Sequence, residues 1–176
     1  MIITCNMGLK RKTPLKRTPI KKTPWDKAKK EQEKKKAKAI PSKQSLVKKL
    51  DRIFQLYIRL RDVNDQGAFR CISCGRYKPF SQMDAGHFIG RASMSLRYCE
   101  TNVYGQCRYC NRMLNGNLLD YRKALVKKLG EDKVEWLENT KHSTKQYSIF
   151  ELQTLIDYYT KEVKKLKIEK NYDEWK

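Results

Sequence analysis

Two CxxC pairs, Cys71 with Cys74 and Cys107 with Cys110, enclose 32 residues and constrain this chain more than any other feature. Four thiolates from two such pairs can complete a tetrahedral shell around one Zn²⁺ and pin both ends of the enclosed segment without a large apolar core. A closed shell of four protein sulfurs has no position for a catalytic water, so the expected zinc is structural and any hydrolytic metal must be a different one. Cys5 and Cys99 lie outside the pairs. Cys99 reads as a small buried hydrophobe, with an alternative role as a ligand.

Composition limits what surrounds this centre. With 34% charged and 39% hydrophobic residues in 176, the chain has material for a small core and extensions. No segment approaches the roughly 18 apolar residues of a membrane span, and an apolar signal region is lacking at the N-terminus. The expectation is a cytoplasmic protein with no membrane partner, its thiols reduced and able to bind metal. The net charge is +21, and residues 8–49 carry 17 Lys and Arg against 3 acidic residues. Such a run predicts a polyanionic partner, DNA or RNA, held through phosphates by Lys10, Arg11, Lys12, Lys16, Arg17, Lys21 and Lys22. Within it Thr-Pro-apolar-basic-basic recurs from Thr13, Thr18 and Thr23. Proline every fifth residue blocks a helix, which predicts a largely disordered arm over 1–41.

Periodicity predicts the remaining elements. Asp26 to Ala39 reads as a Lys/Glu/Ala helix with no apolar stripe. Leu46, Leu50, Ile53, Tyr57 and Leu60 recur at spacings of three and four, predicting an amphipathic helix from about Ser45 to Arg61 within a 42–68 unit. Strand-like stretches follow at Phe69 to Ile72 and Met83 to Ile89, then a short helix after Cys107 that ends near Asn115, Gly116 and Asn117. These make a zinc-bracketed centre over 69–117. A helical region over 118–176 holds Leu118 to Leu129, one or two turns at Lys133 to Glu138, and a last helix opened by a Ser148/Glu151 capping box. The fold class is α+β: a small zinc-stapled ββα-metal (HNH-like) centre flanked by helices.

Inside the bracket, Asp84-Ala85-Gly86-His87-Phe88 is followed fifteen residues later by Asn102, and Asn111 stands directly behind the last cysteine. A strand histidine, a loop asparagine and an Asn or His at a helix start is the layout of HNH nuclease sites. Phosphodiester hydrolysis needs a base for water and a divalent cation for the developing charge. His87 is the candidate base, Asn102 its brace, and Asp84 and Asn111 candidate ligands of Mg²⁺ or Mn²⁺. Asn115 adds to them if the helix runs that far. Many HNH sites carry a ligand just before the histidine, where this chain has Gly86, and Asp84 two residues earlier shares that strand face. Arg91, Arg97 and Arg112 are candidate phosphate clamps, and His142 reads as surface. The competing reading is a non-catalytic zinc protein that binds nucleic acid, with His87 packed rather than reactive.

CISCG from Cys71, DAGHF from Asp84, NVYGQCRYCNR from Asn102 and NGNLLDYR from Asn115 resemble the phage NinG (Rap) recombination nucleases, as do the KTPLKRTPIKKTP arm and the FQLYIRLRD helix. The resemblance covers nearly the whole chain in order. It implies an endonuclease acting on branched intermediates, Holliday junctions and D-loops, during phage growth in a bacterial host. Symmetric resolution of a four-way junction needs two active sites, so a homodimer is expected on that reading.

Overall fold

A computed structural model describes residues 23–39 and 41–174. The basic residues from Lys10 to Lys22 and Cys5 lie outside the described residues. The chain divides into two units, 1–40 and 41–176.

In the first unit, helix α1 spans Pro24–Ala39. Pro24 occupies the first turn, where a missing N–H costs nothing. Thr23 Oγ1 accepts from Asp26 N at 3.2 Å while Thr23 N donates to Asp26 Oδ2 at 3.0 Å, a reciprocal cap. Residues 23–32 are exposed, as a helix without an apolar stripe requires.

The second unit is a mixed α and β arrangement with two apolar clusters. Helix α2 (Lys43–Asp62) starts at Ser42, whose side chain accepts from Ser45 N, and buries Leu46, Leu50, Phe54, Tyr57, Ile58 and Leu60. Helix α5 (Ile149–Glu169) opens on the expected Ser148/Glu151 capping box and buries Leu152, Ile156, Tyr159 and Val163. The two helices pack on each other, with the Phe54 and Tyr159 rings 5.0 Å apart in an edge arrangement. The buried stripe of α5 is therefore part of the chain's own core.

In the chain between these helices come two short antiparallel pairs. β1 (Ala68–Arg70) pairs with β2 (Tyr77–Pro79), and β3 (Met83–His87) pairs with β4 (Val103–Cys107). The sequence pattern missed β2 and β4. All five residues of β4 are buried, so it has none of the alternation that marks a half-exposed strand. The helix expected after Cys107 is a single wide turn over Tyr109–Met113, and the chain then reverses through Asn115, Gly116 and Asn117, all at positive φ. Helices α3 (Leu118–Leu129) and α4 (Glu131–Thr140) follow, and α4 is longer than expected because Glu131 and Asp132 extend its first turn. They close a second cluster of Phe88, Leu96, Tyr104, Tyr121, Leu125, Val134 and Leu137. Among the described residues no helix is long and apolar enough to cross a membrane.

Candidate metal centre and the adjoining cleft

The β1 turn and the end of β4 bring Cys71, Cys74, Cys107 and Cys110 together, all four Sγ atoms lying within 4.8 Å of one another. A tetrahedral site with metal–sulfur bonds of about 2.3 Å has sulfurs about 3.8 Å apart. Cys74 Sγ and Cys107 Sγ are 3.9 Å apart, so the cluster can hold one metal ion such as zinc with little movement. Backbone N–H groups already converge on it: Cys107 N donates to Cys71 Sγ at 3.3 Å, and Cys110 N to Cys107 Sγ at 3.5 Å. Without metal, burial raises the Cys71 and Cys110 thiols. At Cys74 burial acts in the same sense but is outweighed by the Arg76 N–H and the neighbouring thiols, leaving it below its usual value. Cys99 stands apart, its sulfur 3.2 Å from Thr101 Oγ1, packed against the second cluster.

β3 and the turn after Cys110 line one cleft of about 500 Å³ containing Asp84, His87, Arg91, Asn111, Arg112 and Asn115. His87 Nε2 lies 3.0 Å from the backbone carbonyl of Arg97. A carbonyl only accepts, so Nε2 carries the proton and Nδ1 is the nitrogen left to accept one. Burial lowers the His87 pKa, and the nearby Arg91 and Arg97 charges act in the same direction against the Arg97 carbonyl, which raises it. The imidazole is neutral at neutral pH.

Asn102 is fully buried and holds the loop that follows His87. Its Oδ1 accepts from Ile89 N at 2.8 Å, and its Nδ2 donates to the Ile89 and Leu96 carbonyls at 2.9 and 3.1 Å. That is a bracing geometry. From the other side, Tyr121 Oη donates to the Gly86 carbonyl at 2.8 Å and accepts from Tyr104 N at 3.0 Å, tying α3 across both strands.

Asp84 accepts from Asn111 Nδ2 at 3.0 Å and from the Arg112 guanidinium at 2.7 and 2.8 Å. Burial opposes its ionisation, but these donors outweigh burial and hold its pKa below the ordinary carboxylate value. The Asp84 carboxylate and the Asn111 amide oxygen are hard donors that suit Mg²⁺ or Mn²⁺, which commonly take one or two carboxylates together with substrate phosphate. Arg112 is a largely exposed counter-ion of Asp84. Asn115, at φ 47°, has left the helical turn but still lines the cleft. Gly86 has a local cause: a Cβ there would sit 2.2 Å from Gln106 Oε1 and 2.9 Å from Gln106 Cβ, so a ligand side chain before His87 has no room.

The three candidate phosphate clamps separate. Arg91 and Arg112 line the cleft. Arg97 does not fit that role: its guanidinium is committed to Asp51 of α2 at 2.6 and 2.8 Å, and its contribution near the cleft is the carbonyl that orients His87. Gln55 of α2 also lines the cleft, and periodicity gave it no distinction from any other polar interruption of that helix. His142 is exposed, as expected of a surface residue.

Residues 3–169 match the family described as Bacteriophage Lambda NinG protein. The chain belongs to the NinG family. Protein ninG of Escherichia phage lambda is 31% identical over 130 residues, covering 73% of this chain and 61% of that protein. Protein ninG of Escherichia phage 933W is 30% identical over 130 residues, covering 73% and 62%. Protein ninG of Salmonella phage P22 is 30% identical over 130 residues, covering 73% and 61%. This NinG chain thus spans about three fifths of the length of these curated relatives. No solved structure matches it.

Proposed function

We propose that this NinG protein is a metal-dependent DNA endonuclease with an HNH-like site, held by a structural zinc at the four cysteines and directed to branched recombination intermediates. The observation that carries the proposal is His87: a neutral imidazole, its Nε2–H bonded to the Arg97 carbonyl, in the same cleft as Asp84 and Asn111. In the reaction, the oxygen of a water attacks phosphorus and its proton passes to His87 Nδ1. The bond from phosphorus to the leaving sugar oxygen breaks, and that oxygen takes a proton from solvent. Asp84 and Asn111 would hold Mg²⁺ or Mn²⁺, which when bound stabilises negative charge on the phosphate and the leaving oxygen. Arg91 and Arg112 supply positive charge at the cleft edge, and Asn102 keeps the loop carrying the Arg97 carbonyl in place.

Family membership suggests the branched substrate, and the net charge of +21 favours phosphate-rich ligands, branched or linear alike. The arm and α1 add sequence-independent affinity on this reading, and a homodimer would place two sites on one junction. The test uses a labelled four-way junction and a matched linear duplex, each incubated with the full-length protein in Mg²⁺, Mn²⁺ or EDTA. Cutting of the junction that requires the divalent cation is expected. Binding without cutting under every metal condition would leave a nucleic-acid-binding zinc protein.

A further inference from the structure

Next to the cleft, a rigid turn carries large apolar side chains into solvent. Met113 is 72% exposed, Leu119 80%, Tyr109 63%, Leu118 49% and Leu114 43%, all within eleven residues of a strongly basic chain. These side chains are not exposed because the backbone is loose. Asn115, Gly116 and Asn117 have φ values of 47°, 91° and 43°, a left-handed path that Asn and Gly adopt most readily. Gly116 N donates to the Cys110 carbonyl at 3.0 Å, Asn117 N to the Leu114 carbonyl at 2.8 Å, and buried Gln106 donates to the Gly116 carbonyl. The turn is thus anchored on a metal cysteine and on β4. Asn115, Gly116 and Leu118 line the His87 cleft, while Leu118 and Leu119 continue into a neighbouring groove beside Phe88 and Ile89.

We propose that Met113 and Leu119, with Leu114 and Leu118 between them, form a platform for the faces of unstacked bases at a DNA branch. This deepens the nuclease reading and rests on its choice of DNA as ligand. Because Asn115, Gly116 and Leu118 line the His87 cleft, a strand whose phosphate reaches His87 would run beside this rim, and exposed Arg108 and Arg112 suit a polyanion. Continuous duplex presents phosphates, sugars and base edges but hides the base faces. A branch point exposes those faces, and apolar side chains that insert beside unstacked bases are a recurrent means of holding distorted DNA. The rim would therefore supply discrimination between branched and linear DNA that the basic surface lacks.

The experiment measures binding in EDTA, so it does not depend on cleavage. The full-length parent, the single variants Met113→Ser and Leu119→Ser, and the double variant are titrated against a four-way junction carrying 2-aminopurine at the branch and against a matched duplex. Zinc content and far-UV circular dichroism report folding, and the singles serve if the double variant is misfolded. The parent is expected to change 2-aminopurine fluorescence at the branch. The double variant should keep its duplex affinity within about twofold and lose about tenfold of its preference for the junction, the order expected when apolar side chains that wedge against unstacked bases are lost, with smaller losses in the singles. Unchanged preference in folded variants, or unchanged fluorescence with the parent, overturns the proposal. So does a parent dimer that the substitutions dissociate in sedimentation, which would assign the rim to a second copy. A parent that passes these tests and cuts nothing sinks the nuclease reading alone.

Discussion

The α2–α5 pair and the cysteine-bracketed segment share one apolar cluster but differ in what else holds them. In the helical pair, Leu50 and Leu152 are fully buried and Phe54 meets Tyr159 edge to face, so stability comes from apolar area removed from water. In the bracketed segment the strands are three to five residues long, and the fully buried residues include Asn102 and Gln106. Strands this short do not stabilise themselves. Phe69, Met83 and Val103 pack into the same cluster as α2 and α5, and four thiols able to hold a metal and a network of side-chain to backbone hydrogen bonds add to that packing. Glu100 joins the two regions, its carboxylate accepting from Tyr57 Oη at 2.9 Å and Tyr159 Oη at 3.3 Å. A scaffold made by packing thus carries a segment that depends in addition on buried hydrogen bonds and on four cysteines able to hold a metal.

The largest expected effect is on the ligated region. Cys110→Ser, or removal of metal by a chelator, should abolish hydrogen-exchange protection across residues 69–117, because binding free energies of about 10–16 kcal/mol at such zinc sites are folding free energies. Amides of α2 and α5 should stay protected. Loss of both regions together would break the distinction. Next, Leu50→Ala should cost about 2–5 kcal/mol in chemical denaturation by opening a cavity in the packed region, while the metal stoichiometry stays that of the parent. Asn102→Ala removes three hydrogen bonds and leaves buried groups unpaired. At about 1–3 kcal/mol for each unsatisfied group, it should lower the melting temperature and shift the His87 ring resonances, whereas Leu50→Ala should leave those resonances in place.

The smallest effect is on pH dependence. Burial puts the folded His87 pKa below its ordinary value of about 6.5. The unfolded chain therefore binds the proton more readily between the two values, and stability present above about pH 6.5 is lost as pH falls through the folded pKa. His87→Gln should flatten the dependence of stability on pH in that window. An NMR titration placing the His87 midpoint above 6.5 would contradict the assigned environment.

The two regions also differed in how far the sequence revealed them. Spacings of three and four located α2 to within about two residues at each end, and the capping box placed the start of α5, because a helix that buries one stripe writes that stripe into the chain. β4 wrote nothing comparable: its core includes Gly105, where a Cβ would lie 2.2 Å from Met83 Cε, and Gln106, buried though polar. The cysteine spacing announced the metal cluster, and the placement of His87, Asn102, Asp84 and Asn111 between and beside the pairs brought forward residues that the fold gathers around one hairpin. The partner of Arg97 was illegible, since Asp51 lies 46 positions away on α2. The room denied to a side chain at position 86 was equally hidden, because it depends on how Gln106 crosses from the paired strand.

The role assigned to His87 stands or falls on cleavage of a labelled four-way junction by the parent and by His87→Ala, under single-turnover conditions in Mg²⁺. His87 is neither a thiol ligand nor a source of positive charge, so the variant should keep its zinc and its junction affinity. Its cleavage rate should fall by about a hundredfold or more, the scale expected when a positioned general base is lost. A folded, zinc-containing His87→Ala protein that cuts at a rate near the parent's would contradict the account.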